Sequence, residues 1–167
     1  MNFFNQMQKV YIIAEIGVNH NGDVNVAKRL IHAAKQAGAD AVKFQTFTAN
    51  ALAAPDTPKV SYQLSTTATS ESHFEMLQKL ELSHDAHRML AAYCVDQKIE
   101  FMSTPYDITS AKFLKSIGVR MFKTASADLV DLPLQRYIAL TGEPSIVATG
   151  MATLGEIERV VRIYEEA

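Results

Sequence analysis

Five short apolar runs alternate with helix-like segments along the chain, and that alternation limits the possible folds more than any other feature. The runs are Tyr11–Gly17, Ala41–Thr46, Ile99–Thr104, Met121–Ser126 and Ser145–Gly150. Each is nearly continuous in its apolar character, the pattern of a strand covered on both faces. The intervening stretches carry helix signals. Asp23 precedes an apolar face of Val26, Leu30, Ile31 and Ala34, and Gly38 ends it. Ser83 or Asp85 opens a helix reaching Gln97, and a short one from about Thr109 to Ser116 stops at Gly118. Pro133 sits in the first turn of a helix over Leu132–Ala139, while Thr153 and Glu156 form a capping-box pattern before the last helix. Alternating strands and helices of this kind predict an α/β fold of parallel βα units.

A chain of 167 residues that is 48% hydrophobic with a net charge of −2 has enough apolar content for one domain with a real core. The near-neutral balance, without runs of like charge, excludes a disordered chain and leaves no electrostatic case for nucleic acid. No stretch is apolar for long enough to span a membrane. The single cysteine, Cys94, falls in a helical pattern and reads as a core residue in a reducing compartment. Met1–Gln6 lacks the basic and apolar regions of a signal peptide, so a cytoplasmic protein is expected. The connection from Phe47 to about Ser70, rich in Ala, Thr, Ser and Pro, has no helical or strand period. A segment of that length is either a lid or binding loop or is disordered.

Two parallel architectures fit five βα units, a doubly wound sheet and the first part of an eight-stranded barrel. Glu15, Lys43, Gln45, Ser103, Lys123 and Ser126 all fall at or just beyond the C-terminal ends of their strands. Polar groups from successive strands on one rim are the pattern of barrel active sites, whereas a doubly wound sheet gathers its contacts at one switch point. No glycine-rich dinucleotide motif follows the first strand, and no phosphate-loop lysine motif is present. The expected fold is a (β/α)8 TIM-type barrel of which about the first five units are present, in a single domain over 1–167. A complete barrel needs about 250 residues.

Strand side chains alternate faces, so Lys43 and Gln45 share one face of their run and Val42 and Phe44 the other. A single lysine of this kind is most simply a residue snorkelling to water or paired with a carboxylate. The pattern recurs at Lys123, again with a small polar exit, Thr124-Ala125-Ser126. Two such lysines at one end of a parallel sheet point to a shared anion site.

Glu15-Ile16-Gly17-Val18-Asn19-His20-Asn21-Gly22, Val42-Lys43-Phe44-Gln45-Thr46, Ser103-Thr104-Pro105, Lys123-Thr124-Ala125-Ser126 and Ala148-Thr149-Gly150-Met151 resemble, in order and spacing, the N-terminal barrel of the sialic acid synthases. The segments Tyr62–Leu64 and Gln78–Leu82 are more similar to the legionaminic acid branch than to the neuraminic acid branch. The resemblance implies condensation of phosphoenolpyruvate with an N-acylated mannose-type sugar to a nine-carbon ulosonic acid, releasing phosphate. It implies that Lys43 and Lys123 hold the phosphate and carboxylate of phosphoenolpyruvate with help from Ser126. They would act as point charges without a Schiff base. Glu15 and Gln45 would meet the acceptor sugar, and Glu15, Lys43 and Lys123 form the expected catalytic set. Ser103, Asp128, Asn19 and His20 are expected at the substrate, His20 either touching sugar or ordering the strand exit. Asp128 stands where the family commonly has Glu, and Ala148 where relatives have a serine.

The resemblance further implies a divalent metal, Mn or Mg, held by two histidines on later strands that this chain does not contain. It also implies a C-terminal antifreeze-like domain, not in this sequence, and a homodimer. His32, His73, His84 and His87 read as helix residues without a functional role. A chain with part of a barrel is expected to turn over poorly by itself. Two other readings stay open. One is a non-catalytic half-barrel that assembles with a second copy. The other is a different phosphoenolpyruvate-condensing ulosonate synthase, for which no extra basic cluster supplies an acceptor-phosphate site.

Overall fold

The computed structural model describes residues 10–54, 57, 58 and 72–167. Five strands lie in chain order: β1 (Ile13–Gly17), β2 (Ala41–Thr46), β3 (Glu100–Pro105), β4 (Phe122–Thr124) and β5 (Ser145–Val147). All four pairings are parallel. Among the described residues the order has no reversal and so no switch point, and each new strand is added to the same edge as barrel winding requires. The helices are α1 (Val24–Gln36), α2 (Ala49–Leu52), α3 (His73–Leu80), α4 (His84–Gln97), α5 (Ile108–Ser116), α6 (Leu132–Leu140) and α7 (Leu154–Glu165). A 3-10 turn, Ser126–Val130, follows β4.

Helix starts are where local chemistry predicts them. The Asp23 carboxylate accepts from the backbone N–H groups of Asn25 and Val26, satisfying donors that have no partner inside the helix. Ser83 caps α4 through the Ala86 N–H, and Thr153 and Glu156 complete a reciprocal capping box on α7. A second box, Ser72 with Glu75, starts α3.

The two faces of the sheet are unlike. Val42, Phe44, Phe101 and Phe122 face the helices and join Ala27, Ile31, Leu90, Leu114, Leu134 and Ile138 in one large core. Each such large apolar side chain contributes about 1.5–3 kcal/mol by leaving water. The opposite face carries Ala41, Met102 and Met121, packed with Tyr11, Ile13 and Ile146 and with no helix in that cluster. Helices on one face only, with a small side-chain core on the other, make this the wall of a barrel: its outer layer and part of its interior.

Some boundaries differ from the sequence reading. β5 ends at Val147, not Gly150, because the chain turns at Met151, which takes a left-handed φ of 62°. β1 starts at Ile13, β4 at Phe122 and α5 at Ile108. Most of the Phe47–Ser70 connection, with the Tyr62–Leu64 segment, lies outside the described residues. Beyond β5 an apolar groove of about 420 Å³ runs between Leu129, Val147, Ile157, Val161 and Tyr164.

Candidate active site

Strand register assembles the site. Glu15 pairs with Lys43, Lys43 with Met102, and Gln45 with Thr104. Partners in parallel strands project to the same face. Glu15, Lys43, Gln45 and Thr104 therefore form a polar row on the inner face, just above the layer of Ala41, Met102 and Met121. The Lys43 ammonium makes an ion pair with the Glu15 carboxylate and lies 3.5 Å from Thr104 Oγ1. The pair is uneven: the lysine side chain is 13% exposed and the carboxylate 52%.

A bulge between Glu15 and Gly17 makes this row possible. Gly17 has a φ of +53°, and a Cβ there would stand 3.0 Å from Glu15 Oε1 and 3.5 Å from Gln45 Nε2. Only glycine both takes that conformation freely and leaves room for the two polar side chains.

Lys123 comes from β4 and is held differently. Its ammonium donates to the backbone carbonyl of Thr124 at 2.6 Å. Among the described residues it makes no ion pair. Burial, then the charge of Lys43, lowers its pKa; Glu15 and Asp128 oppose the shift. The two lysines thus sense each other across the inner face. Beside them the 3-10 turn carries Ser126 and Asp128. Ser126 Oγ lies close enough to Gly150 that a Cβ on that glycine would approach it to 3.1 Å. Asp128 Oδ2 is buried without a hydrogen-bond partner. Burial first and then the Asp131 charge push its carboxyl up to about 6, against the Ala125 backbone contact and the charge of Lys123.

The chain belongs to the NeuB family. The family's sequence profile matches residues 30–167. The N,N'-diacetyllegionaminic acid synthase of Campylobacter jejuni is 46% identical over 157 residues, covering 94% of this chain and 47% of that protein. The protein of the same name from Legionella pneumophila is 45% identical over 147 residues, covering 88% and 41%. A crystal structure of N-acetylneuraminic acid (sialic acid) synthetase from Leptospira borgpetersenii, in complex with citrate, superposes with a TM-score of 0.81 at 30% identity. It is matched over 95% of this chain and 51% of its own. The chain thus spans about half the length of the relatives it matches.

Two positions expected at the substrate, Ser103 and His20, lie on the helix side of the sheet, which for His20 agrees with the reading that it orders the strand exit. Ser103 pairs in register with Phe44, so it faces the helices; it is fully buried, with Oγ 2.7 Å from Thr46 Oγ1. Its neighbour Thr104 occupies the inner face instead. The sequence offered both hydroxyls, and only the register with β2 separates them. His20 is also fully buried: Nδ1 accepts from the Gly22 N–H at 3.0 Å, and its ring stacks on Phe44. It orders the exit of β1 from the helix side, and its pKa is lowered chiefly by burial. Asn19 is exposed on the same loop.

Over the exits of β1, β2 and β3 sits a second apolar cluster of Phe47, Ala49, Met76 and Leu77, with Val18, Leu52, Phe74 and Tyr106 against it. It joins α2 and α3 into a wall above the strand ends, and Glu81 fixes α2 by accepting from the Ala49 N–H. At Gly22 the chain passes so near α3 that a Cβ would meet the Lys79 carbonyl oxygen at 2.5 Å.

Among the described residues no group of three or more His, Cys, Asp or Glu could hold a metal ion. Glu15 is engaged by Lys43, His87 is held by Ser83 and Thr46, and His20 is tied through Nδ1 to Gly22 while its buried Nε2 has no hydrogen-bond partner. The described residues do not fit the divalent metal the resemblance implies. Among the same residues no helix is long and apolar enough to cross a membrane.

Proposed function

We propose that this chain carries the phosphoenolpyruvate site of an ulosonic acid synthase that makes a sialic-acid-like nine-carbon sugar. The carrying observation is the pair of inner-face lysines on β2 and β4, one in an ion pair with Glu15 and one that makes no ion pair among the described residues. Two ammonium groups on one face, only one of them in an ion pair, suit a compact polyanion. The names of the matched relatives, legionaminic and N-acetylneuraminic acid synthases, support the same reading, as does citrate, a small polycarboxylate, in the solved relative.

In the reaction, C3 of phosphoenolpyruvate attacks the aldehyde carbon of an open-chain N-acyl sugar. Water adds at C2, and inorganic phosphate leaves as the C2–O bond breaks. Lys123 and Lys43 hold the phosphate and carboxylate electrostatically, with Ser126 donating a hydrogen bond. Gln45 and Glu15 offer amide and carboxylate partners to the sugar hydroxyls, and Asp128 lies beside Lys123 at the same rim. A divalent cation, Mn or Mg, belongs to the complete enzyme and would need ligands from outside this chain. The single domain is the N-terminal part of the barrel, and a cytoplasmic homodimer is the proposed setting.

Calorimetric titration of phosphoenolpyruvate into this chain and into a Lys43→Met, Lys123→Met double variant tests the site. Binding by the parent and loss in the folded variant is the expected result. Equal binding by both removes the lysines from the site.

A further inference from the structure

Beneath the inner-face row, on the helix side of the sheet, lies a buried polar chain that the proposed chemistry does not use. His87 of α4 is 1% exposed, Thr46 2% and Ser103 0%. His87 Nδ1 is 3.1 Å from the Ser83 carbonyl oxygen, which can only accept. Nδ1 therefore carries the proton. In the neutral ring Nε2 is then an acceptor, and the Thr46 hydroxyl 3.0 Å away donates to it. With its proton committed, Thr46 Oγ1 accepts from the Ser103 hydroxyl at 2.7 Å. One direction of donation runs through the whole chain, from Ser103 to Thr46 to His87 to Ser83. Burial lowers the His87 pKa above all other influences, so the neutral ring is the resting form.

The two ends of this chain are informative. Ser83 also caps α4, so the imidazole is fixed to the first turn of that helix. Phe101 and Phe113 meet its ring edge-on. At the other end Thr46 and Ser103 each adjoin a residue of the inner-face row: Thr46 follows Gln45, and Ser103 precedes Thr104, which lies beside Lys43. Because side chains alternate along a strand, a tether on the outer face sets the height and tilt of its neighbours on the inner face.

We propose that His87 is a positioning residue that locks the exits of β2 and β3 to α4 and so fixes Lys43, Gln45 and Thr104 for ligand. The proposal rests on the anion-site reading for its consequence but not for its geometry. Thr46→Val removes the relay hydroxyl and leaves Nε2 without a donor. His87→Leu removes the acceptor, and His87→Gln returns one through its amide oxygen.

Three readouts decide it. Imidazole ¹⁵N spectra of the parent at pH 7 should show a protonated Nδ1 and a bare Nε2; the opposite tautomer or an imidazolium overturns the chain. Amide exchange should quicken at 44–46 and at 103 and 104 in Thr46→Val and His87→Leu while 122–124 in β4 keeps its rate. Uniform change, or none, overturns local positioning. Phosphoenolpyruvate affinity should fall about three- to tenfold in both variants, the loss of one net hydrogen bond, with partial recovery in His87→Gln. Unchanged affinity in folded Thr46→Val overturns the consequence for ligand. If the parent binds no phosphoenolpyruvate, the anion-site reading has failed, and the exchange comparison alone decides the positioning. Should His87→Leu not fold, Thr46→Val carries the same comparison.

Discussion

Lys43 and Lys123 occupy the same sequence pattern, an apolar strand with one inserted lysine and a small polar exit, yet the fold treats them oppositely. Lys43 is neutralised in advance by Glu15 and steadied by Thr104. Lys123 has a carbonyl and a neighbouring cation, and its protonated form is disfavoured. The difference teaches that the less compensated ammonium lies on β4, while β2 supplies a lysine already held by its carboxylate. An incoming anion gains most where charge is uncompensated, because it relieves a desolvated cation instead of competing with an existing ion pair.

The largest effect is expected from Lys123→Met, which should weaken phosphoenolpyruvate binding by tens-fold, from loss of a charge-assisted contact of roughly 1.5–3 kcal/mol. The same change should not lower the melting temperature at pH 7. A lysine whose folded pKa lies below its unfolded value disfavours folding when protonated. Stability therefore rises with pH between the lowered value and the ordinary lysine value of 10.5. A clear drop in melting temperature at pH 7 would contradict the account of Lys123 as a strained charge.

Lys43→Met should weaken binding about tenfold, partly because it leaves the Glu15 carboxylate facing the anion. Adding Glu15→Gln should recover part of that loss, whereas Glu15→Gln should recover none in the Lys123→Met background. Equal rescue in both backgrounds would erase the distinction between the lysines. Calorimetry on these four variants, on Glu15→Gln alone and on the parent closes both double-mutant cycles.

Gly17→Ala should cost about 1–2 kcal/mol in urea unfolding, the penalty for an L-residue in the left-handed region. Its Cβ also crowds Glu15 Oε1, so the β2 side of the site should be disturbed more than the β4 side. Amide exchange at Lys43 and Lys123 compares the two directly. The smallest effect concerns Asp128, whose carboxyl is pushed up to about 6 from the ordinary aspartate value of 3.8. The folded state binds the proton more tightly, so stability should fall as pH rises between those values and stay lower above them. Asp128→Asn should flatten that part of the profile and leave the protein no less stable at pH 7, as read by melting temperature from pH 3 to 8.

Much of the fold was legible because its signals are local. Asp23, Ser83, Thr153 and Glu156 announce helix starts through hydrogen bonds that span only two or three residues. The continuous apolar runs announced buried parallel strands, and the two lysines could be paired because a period of two holds within any strand. β5 was read too long because Ala148 and Thr149 are compatible with a strand, and nothing nearby in sequence reveals that Met151 turns the chain.

What the sequence determined by itself was the set of elements, their order, and the sharing of a face by Lys43 and Gln45. Tertiary structure decided which face that was and what stood opposite. Ser103 and Thr104 are adjacent hydroxyls, and only the pairing of Ser103 with Phe44 and of Thr104 with Gln45 sends one to the helices and the other to the site. His20 and His87 became internal fasteners by the same route, because their partners Gly22, Phe44, Thr46 and Ser83 include contacts 24 and 41 residues distant in the chain. The physical reason is range: capping and alternation act over a few bonds, whereas register is fixed only when the two layers pack.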